Sequence, residues 1–236
     1  MKKVFVVILL LIFFGVLVYV GLQMRDVVTA KNYSDYWQQK AFDGGDFVYV
    51  VLGDEIGLGV GASSVSKGYA GILIDKIKEA EGSVKILNLA SKDATINNVI
   101  NEQIPKIGNL KPDLVTVTVG LHDIESGKGL DVDIESGKGL DVFSHDMQIL
   151  LSLLPGRVSY ISEVPFTIFP NNEKAIRSAN LRILELANAA GVNTVMLENS
   201  INKKSYDLSL YDWGLKYPND KGYSQWADAF WNVISQ

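Results

Sequence analysis

Strand-like and helix-like segments alternate along most of this chain, which predicts a doubly wound α/β sandwich, three layers deep, around a five-stranded parallel sheet. Three observations carry that reading. Five short apolar runs, rich in β-branched residues, recur from residue 47 onward. They are apolar throughout rather than alternating, as strands covered on both faces require. Each is followed by a stretch with helical spacing or helix-forming composition.

Taken in order, the predicted strands are 47–53 (FVYVVLG), 84–90 (VKILNLA), 113–119 (DLVTVTV), 157–164 (RVSYISEV) and 193–198 (NTVMLE). The predicted helices are 67–81, 94–107, 143–154, 172–190 and 221–235. The fourth is the clearest: Ala175, Ile176, Ala179, Ile183, Leu186 and Ala187 recur at helical spacing, and Gly191 stops it. In a sheet of this kind, ligands bind in the crevice beyond the carboxyl ends of the strands.

Ahead of this domain the chain is different. Lys2 and Lys3 precede an unbroken apolar run, Val4 to Leu22, long enough to cross a hydrocarbon core of roughly 30 Å. A cleaved signal peptide normally has a shorter apolar region and a small-X-small site, and Val18, Tyr19, Val20 and Leu22 provide none. Residues 1–24 are therefore expected to be a retained single-pass anchor. With Lys2, Lys3 and the amino group outweighing Arg25, the N-terminus should be cytoplasmic and the domain extracytoplasmic. Residues 25–46 are expected to form a polar juxtamembrane connector, with Tyr33, Tyr36 and Trp37 at the headgroups or against the domain. Residues 47–236 form the domain proper.

Composition narrows the function. A 47% hydrophobic content over 236 residues supports one sizeable core. The net charge of −5, with scattered lysines and arginines, gives no basic face for nucleic acid. There is no cysteine, hence no disulfide framework, thiolate nucleophile or sulfur-based zinc site. Residues 123–132 and 133–142 are the same ten letters, DIESGKGLDV. Two copies are too few for a repeat architecture, so they are expected to form one long exposed loop. Its Ser-Gly-Lys-Gly lacks the spacing of a phosphate-binding loop.

Four segments carry a stronger signal: GDEIGLGVGAS (53–63), NLASKDAT (88–95), VTVGLHDI (117–124) and YPNDKGYSQWADAFW (217–231). In this order and at these loops they resemble the four blocks of the SGNH/GDSL ester hydrolases, over roughly residues 47–231. The last block is the most specific of the four. The resemblance implies an SGNH-hydrolase, flavodoxin-like sandwich, a small ester of a lipid or glycan as ligand, and no cofactor. In that family a serine attacks the ester carbonyl. That serine, a glycine amide and an asparagine stabilise the oxyanion, and a histidine oriented by an aspartate takes the proton. Carried onto this chain, the serine position is Glu55, the glycine Asp93, the asparagine His122 and the histidine Tyr217. The aspartate position falls on Gly214, with Asp212 two residues earlier as the nearest carboxylate.

Every one of these positions departs from the family. A carboxylate attacking an ester would give an anhydride, with little gain. Asp93 places a potential negative charge where an oxyanion must develop. Tyr217, with an ordinary pKa near 10, is a poor base. The only histidines are His122 and His145, so the serine–histidine mechanism has no base. Glu55, Asp93, His122 and Asp123 could instead converge as ligands for a divalent cation, or Glu55 and His122 as an acid–base pair. No metal-ligand spacing supports the first and no metal is expected. The plainer reading is a polar cleft without its ancestral chemistry. Asp54 is expected to bind turn amides, Trp226, Phe230 and Trp231 to be core, and Ser144 to cap a helix bearing a solvated His145.

Overall fold

A computed structural model describes residues 2–41, 44–126, 140–166, 173–197 and 207–236. Strands β1 (Phe47–Gly53), β2 (Val84–Asn88), β3 (Leu114–Thr118), β4 (Ser159–Ser162) and β5 (Asn193–Val195) form one wholly parallel sheet in the order β2-β1-β3-β4-β5. That is the flavodoxin-like order, and the predicted α/β sandwich is correct. All five strands lie inside the predicted runs, trimmed by up to three residues at an end.

Period-two alternation divides β1 between two cores. Tyr49 and Val51 face one side with Tyr69, Leu73, Trp226 and Phe230. Val50 and Leu52 face the other with Val115, Val117, Met147 and Ile183. The first layer is built by α1 (Lys2–Lys40), α3 (Tyr69–Glu81) and α9 (Asp220–Ile234). The second is built by α7 (Asp141–Leu153), α8 (Glu173–Ala190) and the segment from 96 to 107. That segment was expected as one helix. It is α4 (Ile96–Asn98), a π turn (Val99–Gln103) and α5 (Ile104–Ile107). Pro105 explains the break, because its ring displaces the carbonyl four residues back and the preceding turn widens.

Two other expectations need correction. The segment read as a polar connector is the continuation of α1, which runs unbroken to Lys40. Nothing between Leu22 and Lys40 breaks a helix, and one face finds a partner: Asp26, Ala30 and Trp37 are buried. Tyr33 donates to the Ala62 carbonyl (2.9 Å) and Trp37 Nε1 to the Leu58 carbonyl (3.1 Å). Of the aromatic trio, only Tyr36 is exposed. Ser144 does not cap α7, which begins three residues earlier; its hydroxyl accepts from Arg182 Nε at 3.2 Å. Of the duplicated decapeptides, residues 127–139 lie outside the described residues. The described ends are helical, at α6 (Leu121–Glu125) and the start of α7.

Candidate functional site

The strand order reverses between β1 and β3, so the crevice beyond their carboxyl ends is where this topology places a site. At the end of β1, Gly53 sits at φ +131°, where a Cβ would lie 2.0 Å from the Thr118 carbonyl oxygen. Only glycine allows that approach. Its backbone is held from both sides by the buried Gln103, which accepts from Gly53 N and donates to Gly53 O, each at 2.8 Å. Asp54 then caps the one-turn helix α2 (Glu55–Leu58), accepting from Ile56 N at 3.0 Å. This turn sets Glu55 at the bottom of the crevice, 1% exposed.

The surrounding loops are tied together by side chains that bond to backbone. Asn88 donates to the Gly57 carbonyl (2.8 Å), Asp123 accepts from Ile96 N (3.1 Å), and Asp220 accepts from Ser63 N (2.7 Å). Tyr223 donates to the Val60 carbonyl at 2.6 Å. Each bond joins one of the four sequence blocks to another or to its flank, so the cleft walls brace one another.

At the centre, His122 Nε2 lies 2.8 Å from Glu55 Oε2, and the Tyr217 hydroxyl donates to Glu55 Oε1 at 3.0 Å. Burial alone would push the Glu55 carboxyl up, but the hydrogen bond and charge of His122 outweigh it and hold the group at about 2. The same bond, working against burial, raises His122 to about 9. Burial, then the neighbouring Glu55 charge, push Asp54 to about 7. Burial and Glu55 together drive the Tyr217 hydroxyl well above its ordinary value. At neutral pH this is a carboxylate–imidazolium pair with a tyrosine donating to the second carboxylate oxygen. Each oxygen of Glu55 thus accepts one hydrogen bond, and the raised pKa values keep the protons on His122 and Tyr217. The pair opens onto a mostly apolar cleft lined by Leu121, Pro165, Phe166, Tyr211, Lys216 and Trp226.

The other sequence candidates are placed differently. Asp93 stands at φ +57°, in the left-handed region that glycine enters freely and aspartate tolerates. Its side chain points to solvent and pairs with Lys92. Asp123 is spent on the Ile96 amide. The imagined cluster of Glu55, Asp93, His122 and Asp123 therefore does not converge. The converging set is Asp54, Glu55 and His122, with one ligand atom from each inside 4.8 Å. These could hold a divalent cation only if His122 lost its proton and its bond to Glu55. Asp212 is buried and reaches the backbone of Tyr217 rather than its hydroxyl, accepting from Lys216 N (3.2 Å) and Tyr217 N (3.3 Å). Gly214 lies against it, with Asp212 Oδ2 at 3.4 Å and Arg25 Nη2 at 3.5 Å from where a Cβ would stand.

Arg25 is the residue that sequence reasoning missed. It pairs with both Asp26 and Asp212, joining α1 to the cleft loop. No local signal links residues that lie 187 positions apart. Trp226 is core as expected, fully buried and stacked near Tyr69, yet it also floors the cleft.

No protein-family model and no curated protein matches the chain. Solved structures do match in fold. The chain is similar to LAE5, an α/β hydrolase enzyme from the metagenome of Lake Arreo, Spain, with 18% identity and a TM-score of 0.60, over 81% of this chain and 96% of that one. It is similar to Axe2, an acetylxylan esterase from Geobacillus stearothermophilus, at 18% identity and TM-score 0.60, over 82% and 96%. The psychrotrophic esterase EstA from Pseudoalteromonas sp. matches at 14% identity and TM-score 0.59, over 80% and 97%. Three further matches are catalytic mutants of Axe2, in which a serine, an aspartate or a histidine is replaced by alanine. At these identities the likeness is one of fold: the chain has an α/β-hydrolase-like architecture.

Proposed function

We propose that this chain is a membrane-anchored member of the SGNH/GDSL ester-hydrolase lineage whose cleft no longer hydrolyses esters. It is read instead as binding a small ester, lipid or glycan, or a partner protein, through that cleft. The observation that carries this reading is the closed arrangement at Glu55. The position that resembles the family's nucleophile holds a carboxylate engaged by His122 and Tyr217 on its two oxygens. A serine, an aspartate and a histidine each count as catalytic in Axe2. This chain offers Glu55, Gly214 or Asp212, and Tyr217 where the motif resemblance puts those groups.

The scaffold favours the same lineage. Asp93 keeps a left-handed backbone where the family has glycine, and the four motif blocks are hydrogen-bonded to one another or to a block's flank. The acetylxylan esterase among the structural matches makes an acetylated glycan one reasonable ligand class. Residues 4–22 serve as the anchor in this reading, the N-terminus staying cytoplasmic and the domain outside, as the flanking lysines favour.

A short-chain ester assay tests the proposal. The unmodified protein should hydrolyse at background. Because catalytic groups act as a unit, Glu55→Ser or Tyr217→His alone should recover little. Glu55→Ser, Asp93→Gly, His122→Asn and Tyr217→His together, with Gly214→Asp if needed to orient the histidine, should give measurable turnover. Substantial activity in the unmodified chain that is abolished by Glu55→Gln would overturn the silent-cleft reading.

A further inference from the structure

We infer that the cleft-side loop Asp212–Lys216 rests on the lipid surface, with Trp213 inserted among the headgroups, so that the cleft opens at the membrane. This deepens the proposal above and rests on its reading of residues 4–22 as a membrane span.

The geometry follows from one rigid element. Helix α1 is continuous from the apolar run into the domain, so the domain cannot swing freely about the membrane boundary. Arg25 lies three residues beyond Leu22, about 4.5 Å further along the axis. Its guanidinium grips Asp212, and the backbone at Gly214 comes close beside it. The loop is thereby held at the level where the helix leaves the hydrocarbon core. The helix surface says the same. Met24, Val27 and Val28 remain exposed and apolar beyond the run, while Asp26 and Ala30 face the domain. From Val4 to Leu22 the apolar run extends about 28 Å, close to a hydrocarbon core of roughly 30 Å, so Met24 to Val28, just beyond it, lie at the headgroup layer.

Trp213 is the second, independent observation. It follows Asp212 directly and is 91% exposed. Tryptophan is on average well buried in soluble domains, and its amphipathic ring concentrates at membrane–water interfaces. Here an indole projects from the one described loop that is ion-paired to the base of the membrane helix. The same loop supplies Lys216 and Tyr217 to the cleft wall. A ligand leaving or entering the bilayer surface would meet this wall first, which favours an amphiphile with its polar head in the interface over a freely soluble one.

The chain has no cysteine, so single cysteines for spin labels can be placed in the full-length protein without background. Trp213→Cys, Leu181→Cys and Ile12→Cys would be labelled separately in phosphatidylcholine nanodiscs. Leu181 is an exposed position on α8, in the helical layer on the other side of the sheet from α1, and serves as the aqueous reference. The label at 213 should be severalfold less accessible to a water-soluble paramagnetic relaxant than the label at 181, and more accessible to oxygen. Equal accessibility at 213 and 181, with the label at 12 shielded, would overturn the lipid contact while leaving the anchor intact. A label at 12 that is open to the aqueous relaxant would overturn the anchor, and the inference with it. Repeating the measurement with phosphatidylglycerol added should change the result little, since helix α1 and the Arg25–Asp212 pair, not attraction to anionic lipid, set the height of residue 213; protection at 213 that appears only in anionic discs would count against it.

Discussion

The loop that leaves β1 and the loop that leads into α9 face each other across one cleft, but different parts of the molecule hold them. Residues Gly53–Gly59 are gripped from within the domain. Gln103 brackets Gly53, Asn88 holds the Gly57 carbonyl, and every residue of α2 is buried. Residues Asp212–Pro218 are held partly from outside it, by Arg25 of the long N-terminal helix α1, and they expose Trp213 fully to the surroundings. The first loop has the build of a fixed cleft floor, with a carboxylate hydrogen-bonded on both oxygens at its centre. The second has the build of an attachment.

The sharpest way to break this contrast is to remove the charge at its centre. Glu55→Ala leaves His122 without its partner and Tyr217 without its acceptor. Breaking a buried pair of this kind should cost about 3 kcal/mol, read as a lower urea midpoint in detergent micelles. The His122 pKa should fall from about 9 to its ordinary 6.5 or below, and with only two histidines in the chain a proton NMR titration can follow it. A midpoint unchanged within error would show that Glu55 and His122 do not form the pair described.

Acidity should sharpen the comparison next. His122 is raised, so its contribution is complete below 6.5 and is lost as pH climbs through about 9. Asp54 is also raised, and stability is lost as it ionises between 3.8 and about 7. Glu55 is lowered, so its contribution is present above 4.5 and fades as pH falls towards 2. Stability should therefore peak on the acid side of neutrality and decline by about 2 kcal/mol towards pH 9.5. In His122→Asn most of that alkaline decline should vanish. A flat profile from pH 6 to 9.5 in the unmodified protein would contradict the assignment.

A smaller effect is expected at the second loop. Arg25→Ala should cost about 1 kcal/mol, because Arg25 is half exposed and Asp212 keeps the Lys216 and Tyr217 amides. Hydrogen exchange should nonetheless quicken at residues 212–217 and stay unchanged at 53–59. Equal loosening of both loops would erase the distinction between them. The smallest change should come from deleting residues 133–142. The retained decapeptide can supply both the end of α6 and the start of α7, so only the connection shortens, and stability should move by less than about 0.5–1 kcal/mol. A large drop would mean that the insert is packed.

Much of this protein was written locally. The strand runs, the helix periodicities of α8 and α9 and the turn role of Asp54 depend on neighbours within a few residues, and a sequence shows those directly. So was the carboxylate at position 55 where the motif resemblance puts a serine, and the lack of any histidine in the last block, because the letters alone report both. Tertiary structure decided the rest. That Glu55 would be met by His122 and Tyr217, 67 and 162 residues away, depends on how the strand order reverses between β1 and β3. That Asp123 and Asp93 would stay out of the cluster depends on an amide at Ile96 and a left-handed turn. Most of all, the polar stretch after the apolar run looked like a linker because its partners, Leu58, Ala62 and Asp212, lie on distant parts of the chain. A helix face is defined by what it packs against, and only the folded chain supplies that surface.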